Sequence, residues 1–381
     1  MSCLIIKNDG IGDLILASGL ISALGKHFNG NVDLITCSDN QEIAEGIEWI
    51  RNKYYISRDG IRYSYSAAKF GLLIPRMFEG DQIIIKEISS HSYDIVICLR
   101  RYIRQSTLVL MQKVHAKRMI CAWEFPTNTT RSMAEKYSRS WEHYRGSENH
   151  LSELTYAKNF LEDNLGKSLS IEPKLSFCKK QTISPIKKIL ALGLGGNSTN
   201  WPGGNWINLA RRLSSSGWKL MLFGGPNVVE LANQIMMKIP NSENLVGKIN
   251  WHTTAQMLSS CDGYIGNDTG LSHFASLIVR KSVIILGGGT FRRFFPWPIS
   301  DGQHIIFHGL DCFDCDWCCK FSDRYCLSFV TPEDVECYFN QVMDGTAPKE
   351  RDLNFENCEY EISWRRNASS IKTRVTPTIS F

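Results

Sequence analysis

Asp13 is the first residue whose type and position suggest catalysis. The apolar run from Leu4 to Ile6 predicts a strand, residues 10–12 are Gly-Ile-Gly, and a helical pattern begins at Asp13. Glycine loops between a strand and a helix commonly bind phosphate, because the helix N-terminus favours anions. A carboxylate there disfavours phosphate but can accept a proton from an incoming hydroxyl. The spacing therefore favours Asp13 as a general base, with a plain tight turn as the alternative.

A second loop, GNDTGLSH at residues 266–273, directly follows an apolar strand pattern and opens a helical one. Its small residues and backbone N–H groups suit a diphosphate. We expect the amides of residues 268–270 and the hydroxyl of Thr269 to hold that group, with His273 supporting the loop. The alternative is a helix N-cap by Asp268 or Thr269 with a partly buried His273.

Three more glycine loops follow predicted strands in the second half of the chain. Residues 195–202 are rich in hydrogen-bond donors, residues 224–226 are Gly-Gly-Pro, and residues 287–293 end in two arginines. Hydroxyls of Ser198 and Thr199 could bind phosphate, and the arginines could counter its charge. The arginines could equally be surface charges.

A basic segment at residues 100–145 carries ten Lys and Arg side chains against three acids, with tryptophans and tyrosines interleaved. A solvated basic face is one explanation. A phosphorylated, lipid-linked acceptor at an anionic membrane surface is another. Nucleic acid would suit the charge, but the sequence contains no nucleic-acid-binding motif, so we expect none.

Five of the 13 cysteines lie in the segment 312–326. Cys312 and Cys315 have the C-x₂-C spacing that brings two thiolates to one ion, and Cys326 with either Cys318 or Cys319 would complete a tetrahedral set. Zinc or iron would suit four sulfur ligands in a structural site. Free thiols or one adventitious disulfide are the alternative.

Short apolar runs alternate with helical patterns, which predicts parallel sheets covered on both faces. In the first part of the chain the predicted strands are 4–6, 32–37, 83–85 and 93–99, and the predicted helices are 13–27 and 151–167. After a polar linker at 179–188 the predicted strands are 189–193, 219–223, 263–266 and 282–286, with a helix at 206–216.

The sequence thus predicts two Rossmann-like domains, at 1–180 and 187–340, followed by a polar tail at 345–381. Two such domains place a ligand cleft between the carboxyl ends of their sheets. The length of 381 residues fits two domains, and 43% hydrophobic with 21% charged residues is typical of soluble globular proteins. No apolar stretch has the length of a membrane-spanning helix, and charges interrupt any signal peptide, so we expect a cytoplasmic protein.

These motifs resemble those of the family 9 glycosyltransferases, which include the bacterial ADP-heptose:lipopolysaccharide heptosyltransferases. Asp13 after its glycine loop, residues 223–226 and residues 267–273 carry the resemblance, which extends from about residue 3 to 340. It implies an α/β GT-B fold, with an N-terminal acceptor domain and a C-terminal nucleotide-sugar domain. It also implies inverting transfer of heptose from ADP-heptose without a catalytic metal, and Asp13 as the general base.

The resemblance also completes the predicted sites. The predicted donor-binding residues are Gly12, Gly196, Ser198, Thr199, Gly224, Asp268, Thr269, Gly270, His273 and Arg292. The usual spacing in the family selects Cys319, so that the predicted structural metal ligands are Cys312, Cys315, Cys319 and Cys326. The predicted acceptor is a lipopolysaccharide core, another glycan or a protein, reached through peripheral contact with the inner membrane.

One departure from the family pattern keeps other functions open. Family members usually carry a lysine just before the Trp-Pro pair, whereas Asn200 precedes Trp201 here. Lys187, Lys188, Arg292 and Arg293 are the cations that could replace it. One alternative is a nicotinamide-dependent Rossmann oxidoreductase, although Ile15 occupies the place of the third fingerprint glycine and only Asp39 could supply its acid. The other is a non-catalytic metal-bearing protein on a GT-B fold.

Overall fold

The computed structural model describes most of the chain. The described residues are 1–58, 61–63, 75–122, 131–132, 134–135, 141–144, 151–182, 185–195 and 200–354. Three predicted donor ligands, Gly196, Ser198 and Thr199, lie outside them. So do parts of the basic segment and residues 355–381 of the predicted tail.

The first sheet is wholly parallel, with the strand order β3-β2-β1-β6-β7-β8. Its strands are β1 Cys3–Lys7, β2 Val32–Cys37, β3 Asn52–Ile56, β6 Ser92–Cys98, β7 His115–Ala122 and β8 Glu142–Tyr144. An antiparallel pair, β4 Ile61–Tyr63 and β5 Pro75–Met77, stands apart. Strand β1 lies between β2 and β6, where the strand order reverses, so the loop after it opens into the crevice where such sheets bind ligands.

Helices cover this sheet. Its described helices are α1 Ile11–His27, α2 Gln41–Glu45, α3 Glu79–Ser89, α4 Gln105–Lys113 and α5 Glu153–Leu165. Helix α1 is buried along most of its length, through side chains such as Leu14, Leu20 and Leu24. Its firm packing fixes the direction in which its N-terminal turn points.

The predicted strand at residues 83–85 is wrong, because these three isoleucines lie inside helix α3. Ile85 and Ile88 are buried three residues apart, whereas Ile83 is 65% exposed. That spacing is helical, and Lys86 and Glu87 lie on the exposed side of an amphipathic helix. A short run of β-branched residues therefore gave a false strand signal.

The second sheet is also parallel and has the order β11-β10-β9-β12-β13-β14-β15. Its strands are β9 Ile189–Gly193, β10 Lys219–Phe223, β11 Glu243–Asn244, β12 Gly263–Asn267, β13 Ser282–Ile285, β14 Gln303–Phe307 and β15 Glu350–Asp352. Its described helices are α6 Gly203–Ser215, α7 Val229–Lys238, α8 Trp251–Ser259, α9 Gly270–Ser276, α10 Tyr325–Ser328 and α11 Pro332–Asp344. Strand β15 comes from the first residues of the predicted polar tail.

The two halves meet where helices α1 and α9 begin. A Cβ atom on Gly12 would lie 3.1 Å from the Cα of Gly270, and one on Gly270 would lie 2.5 Å from Cγ2 of Ile11. Only glycine at both positions allows the two helix N-termini to approach so closely. None of the helices in the described residues combines the length and apolar character needed to cross a bilayer.

Candidate active site between the two sheets

Asp13 is held at the third position of helix α1. Its Oδ2 accepts a hydrogen bond of 3.2 Å from the backbone N–H of Gly10, which is one half of a capping box, since Gly10 has no side chain for the other half. The helix therefore orients the carboxylate toward the loop while Oδ1 remains available. Burial, followed by the negative charge of Asp9, raises the pKa of Asp13 to about 6. A carboxylate with that pKa is a stronger base than an exposed aspartate and is still ionised at neutral pH.

Charged and polar groups surround this carboxylate. Nζ of Lys7 lies 2.9 Å from Asp9 and Nε of Arg100 lies 3.9 Å from it. Arg100 also donates to the carbonyl of Asn8 at 2.6 Å. These contacts fix the loop between β1 and α1, and the two cations counter the upward shift of the Asp13 pKa.

Asp268 enters the same site from the end of β12. Thr269 caps helix α9 by accepting a 3.4 Å hydrogen bond from the backbone N–H of Ser272, so Asp268 lies one residue outside the helix. Burial, then the charge of Asp13, raises the pKa of Asp268 to about 7, whereas Arg293 lowers it. The charge of Asp13, on the first half of the chain, thus acts on Asp268, on the second.

His273 is buried behind Asp268 and is neutral, because burial lowers its pKa to about 3. The indole N–H of Trp297 donates a 3.1 Å hydrogen bond to its Nδ1, and Phe295 stacks on the ring at 4.1 Å. Since an indole can only donate, the imidazole proton must be on Nε2. That nitrogen lies 3.9 Å from Oδ1 of Asp268.

One cavity of about 450 Å³ opens on the second sheet beside this loop. It is lined by small and apolar residues, and three of them were predicted as donor ligands: Gly224, Thr269 and Gly270. Phe223, Ile249 and Trp251 add an apolar wall. The cavity combines apolar side chains with glycines and the first residues of helix α9, which suits a nucleoside diphosphate.

A second cavity, of about 470 Å³, is lined by Asp13. Five arginines from both halves of the chain, Arg58, Arg100, Arg101, Arg104 and Arg293, line it together with the carboxylates of Asp9, Asp13, Glu153 and Asp316. We call it the cationic cavity, because its arginines outnumber its acids. The first cavity reaches helix α1 at Ile11, two residues before Asp13.

Comparison with known proteins identifies the family. Residues 83–317 match the model described as Glycosyltransferase family 9 (heptosyltransferase). The chain belongs to this family. The matched residues include most of the second sheet, the loop at 266–273 and the arginines of the cationic cavity that follow residue 83.

Individual relatives agree with this assignment. The chain is 29% identical to lipooligosaccharide heptosyltransferase 2 of Campylobacter jejuni over 189 residues, which are 46% of this chain and 60% of the relative. The chain thus spans less than two thirds of that protein. The fold is similar to the E. coli ADP-heptose lps heptosyltransferase II, with 15% identity, a TM-score of 0.63 and coverage of 91% and 99% of the two chains. It is also similar to the iron-containing dodecameric glycosyltransferase TibC of E. coli, with 12% identity, a TM-score of 0.51 and coverage of 90% and 76%.

The predicted GT-B fold is therefore confirmed for this family 9 member, and the oxidoreductase alternative is not favoured. The structure brings together Asp13, Gly12, Asp268, Gly270 and His273. Gly12 packs against Gly270 and does not line the cavity of about 450 Å³. We call that cavity the donor-side cavity, because three predicted donor ligands line it.

Of the four cations that could replace the missing lysine, some lie near the site and others lie far from it. Lys187 and Lys188 precede β9 and so lie at the amino edge of the sheet, opposite the loops. Arg292 pairs with Glu350 and lines neither of the two cavities. Arg293 lines the cationic cavity and acts on the pKa of Asp268. It is the one of these four cations that reaches the site.

Glu153 and Arg293 join the two halves beside the site, and the sequence analysis missed this contact. Nε of Arg293 donates to Glu153 Oε1 at 2.5 Å, and the backbone N–H of Glu153 donates to the carbonyl of Arg293 at 2.9 Å. The guanidinium also lies 4.6 Å from the ring of Tyr102. The only signal in the sequence was an acid at the start of a predicted helix.

The cysteine-rich segment lies beside β13 with its thiols unpaired by disulfides. Burial raises the pKa of Cys326, and the thiols of Cys312, Cys319 and Cys315 add to that effect, so the four groups are close enough to interact. Across the described residues, however, no group of three or more His, Cys, Asp or Glu side chains is arranged to hold an ion. The metal assignment stays a prediction.

Proposed function

We propose that this chain is an inverting glycosyltransferase that moves a sugar from a nucleotide-diphosphate donor to an acceptor hydroxyl. ADP-heptose as donor and lipopolysaccharide core as acceptor are the classes that the names of the family 9 relatives indicate. The supporting observation is that Asp13 lines the cationic cavity while Ile11, two residues earlier, lines the other cavity together with the predicted donor ligands Gly224, Thr269 and Gly270.

The chemistry requires one proton transfer and one displacement. Oδ1 of Asp13 accepts the proton of the acceptor hydroxyl while that oxygen attacks the anomeric carbon. The bond between the anomeric carbon and the diphosphate oxygen breaks, and the nucleoside diphosphate leaves with the bonding electrons. Asp13 then releases its proton to water.

The arrangement of the two cavities supports inversion. Asp13 lines the cationic cavity, whereas Thr269, Gly270 and Leu271 line the other. A sugar held between them would meet the acceptor oxygen on one face and lose the diphosphate from the opposite face. A single displacement of that kind inverts the anomeric centre.

Protein groups could offset the charge that develops on the leaving diphosphate without a catalytic metal. The amides at the start of helix α9 favour an anion, and Arg293 supplies a cation near Asp268. The arginines of the other cavity suit a phosphorylated acceptor. We propose that such an acceptor is reached by peripheral contact with the cytoplasmic face of the inner membrane.

A transfer assay tests the proposal. Purified enzyme, ADP-heptose and lipooligosaccharide truncated at its inner core should give a heptosylated product with inverted anomeric configuration, detected by mass spectrometry and NMR. EDTA should leave the initial rate unchanged if no catalytic metal takes part. Absence of transfer with a panel of nucleotide sugars and acceptors would refute the proposal.

We also propose that Cys312, Cys315, Cys319 and Cys326 hold a structural zinc or iron. The support is the sequence spacing, a C-x₂-C pair with two further cysteines in one segment, because four thiolates suit such an ion once the segment closes around it. Among the described residues the thiols are not arranged around an ion. The iron in the TibC name makes iron a candidate as well as zinc. The ion would stabilise the segment, since a Cys₄ shell leaves no open position for substrate.

Elemental analysis of protein purified without added metal tests this second proposal. We expect roughly one equivalent of zinc or iron, and Cys312→Ser should lose it and unfold at lower temperature. Cys337→Ser is the matched control, because Cys337 is an exposed cysteine on helix α11 outside the set. Metal-free protein with fully reduced cysteines would contradict the assignment.

A further inference from the structure

The cysteine-rich segment covers the glycine loop that follows β13. A Cβ atom on Gly288 would lie 2.3 Å from the ring of Phe313, and one on Gly289 would lie 2.2 Å from the ring of Trp317. The two aromatic rings therefore occupy the space over residues 287–289 that a phosphate would need. This loop packs against the cysteine-rich segment, which leaves no room for a phosphate.

Backbone hydrogen bonds fix the same contact. The N–H of Asp314 donates to the carbonyl of Gly288 at 2.7 Å, and the N–H of Asp316 donates to the carbonyl of Gly289 at 2.8 Å. Asp314, Asp316 and Trp317 all have left-handed φ angles, of 61°, 47° and 61°. Such a conformation is unfavourable for a bulky residue like Trp317 and persists where surrounding contacts enforce it.

This backbone conformation places Asp316 at the cationic cavity. Its side chain is exposed and lines the cavity together with Asp13 and Arg293. Within the described residues, no cation or hydrogen-bond donor pairs with its carboxylate, whereas Arg293 is bound to Glu153 and Arg58 lies 3.2 Å from Asp39. Asp316 thus has a backbone held against Gly289 and an exposed carboxylate, without a partner among the described residues, that lines the cavity containing the proposed base.

We propose that Asp316 is a specificity-determining residue whose carboxylate accepts hydrogen bonds from hydroxyl groups of the acceptor sugar. This inference rests on the proposed function of the cavity. Carboxylates form strong charge-assisted hydrogen bonds with donors such as sugar hydroxyls. The arginines select the anionic groups of an acceptor, and Asp316 selects a polyhydroxylated ring at a defined distance from them. The cysteine-rich segment is then a wall of the acceptor site.

Two matched variants test the assignment. Asp316→Asn removes the charge, and asparagine tolerates the left-handed backbone, so folding should not change. Asp314→Asn is the control, because Asp314 is equally exposed and left-handed in the same segment but does not line the cavity. With truncated lipooligosaccharide as acceptor, we expect Asp316→Asn to raise the acceptor KM about tenfold, with kcat, donor KM and Tm unchanged. The control should match wild type in all four quantities.

Other outcomes decide against the proposal. An unchanged acceptor KM in Asp316→Asn would overturn it, and a lowered KM would show that Asp316 repels anions instead. If wild type transfers no sugar, the proposed function fails, and binding then decides the role of Asp316. Calorimetric titration with hexose and heptose phosphates should show weaker binding to Asp316→Asn than to the other two proteins. Equal affinities, or no binding at all, would overturn the inference.

Discussion

The two halves of the molecule use the same local structure, a strand followed by a glycine loop and a helix, and place an aspartate differently in each. Asp13 lies inside the first turn of α1 and bonds back to the loop amide of Gly10. Asp268 lies outside α9, beyond the Thr269 cap. The first arrangement uses the helix terminus to hold a carboxylate, whereas in the second Thr269 and Gly270, at the start of α9, line the donor-side cavity.

The difference shows that a glycine loop alone does not define a phosphate site. A carboxylate at the third helical position competes with an external anion for the N-terminal amides. A carboxylate one residue before the cap, such as Asp268, does not compete with an anion for these amides. The position of one acid relative to the helix start therefore separates a proposed base from a proposed donor loop.

The largest expected effect comes from Asp13→Asn, which keeps the shape of the side chain and removes its basicity. General-base catalysis is typically worth about 10²–10⁴-fold, so kcat should fall by that factor. Donor affinity measured by calorimetry should change little. In wild type, kcat should decline below about pH 6, where Asp13 gains a proton. Near-normal turnover by the variant would show that Asp13 is not the general base.

The second effect concerns the contact between the two loops. Gly270→Ala would place a methyl group 2.5 Å from Ile11, so the two helix termini must separate. We expect donor affinity to fall about tenfold and stability to fall by about 1–3 kcal/mol, the usual cost of overpacking. Gly204→Ala is the control, because a Cβ atom there meets nothing within 4 Å. Equal behaviour of the two variants would show that the close approach is dispensable.

A smaller effect should appear in how the stability of an Asp268 variant depends on pH. The pKa of Asp268 is raised from 3.8 to about 7 in the folded state, so stability falls as the pH rises from about 4 to about 7 and stays at the lower level above that. Asp268→Asn should therefore be more stable than wild type at pH 8, by on the order of 2 kcal/mol, and show no such advantage at pH 4. Urea denaturation at both pH values measures this, and a stability difference independent of pH would contradict it.

The smallest effect should come from Trp297→Phe, which removes the hydrogen bond to Nδ1 of His273. Turnover should fall by a few fold, because the Nε2–H that faces Asp268 is no longer fixed as one tautomer. The ¹⁵N shifts of His273 should change from a single Nε2–H tautomer to a mixture. An unchanged tautomer in the variant would show that another contact sets the proton position.

Much of the fold could be predicted because buried parallel strands leave a strong signal. The predicted strands at 32–37 and 219–223 have the observed bounds, and the helix predicted at 13–27 differs only at its start. The false strand at 83–85 arose because three consecutive isoleucines look alike in a strand and in an amphipathic helix. Only the burial of Ile85 and Ile88 on one face distinguishes the two.

The site was predictable where chemistry and local structure coincide in a few residues. Asp13 and the loop at 266–273 carry their own strand, glycines and helix start. The contact of Glu153 with Arg293 joins residues 140 positions apart, and nothing local in the sequence encodes it. Likewise, no pattern in the residues around Gly288 shows that Phe313 fills the space above them.

The contact of Gly12 with Gly270 also limits how this active site can change by mutation. Any side chain at either position collides with the other loop, so neither residue can vary alone without moving the two helices apart. A mutant library that aims at a new donor or acceptor should keep both glycines fixed. Substitutions are better placed at positions such as Trp251 in the donor-side cavity and Arg104 in the cationic cavity. There the cavity walls can change while Asp13 and the loop at 266–273 keep their relative positions.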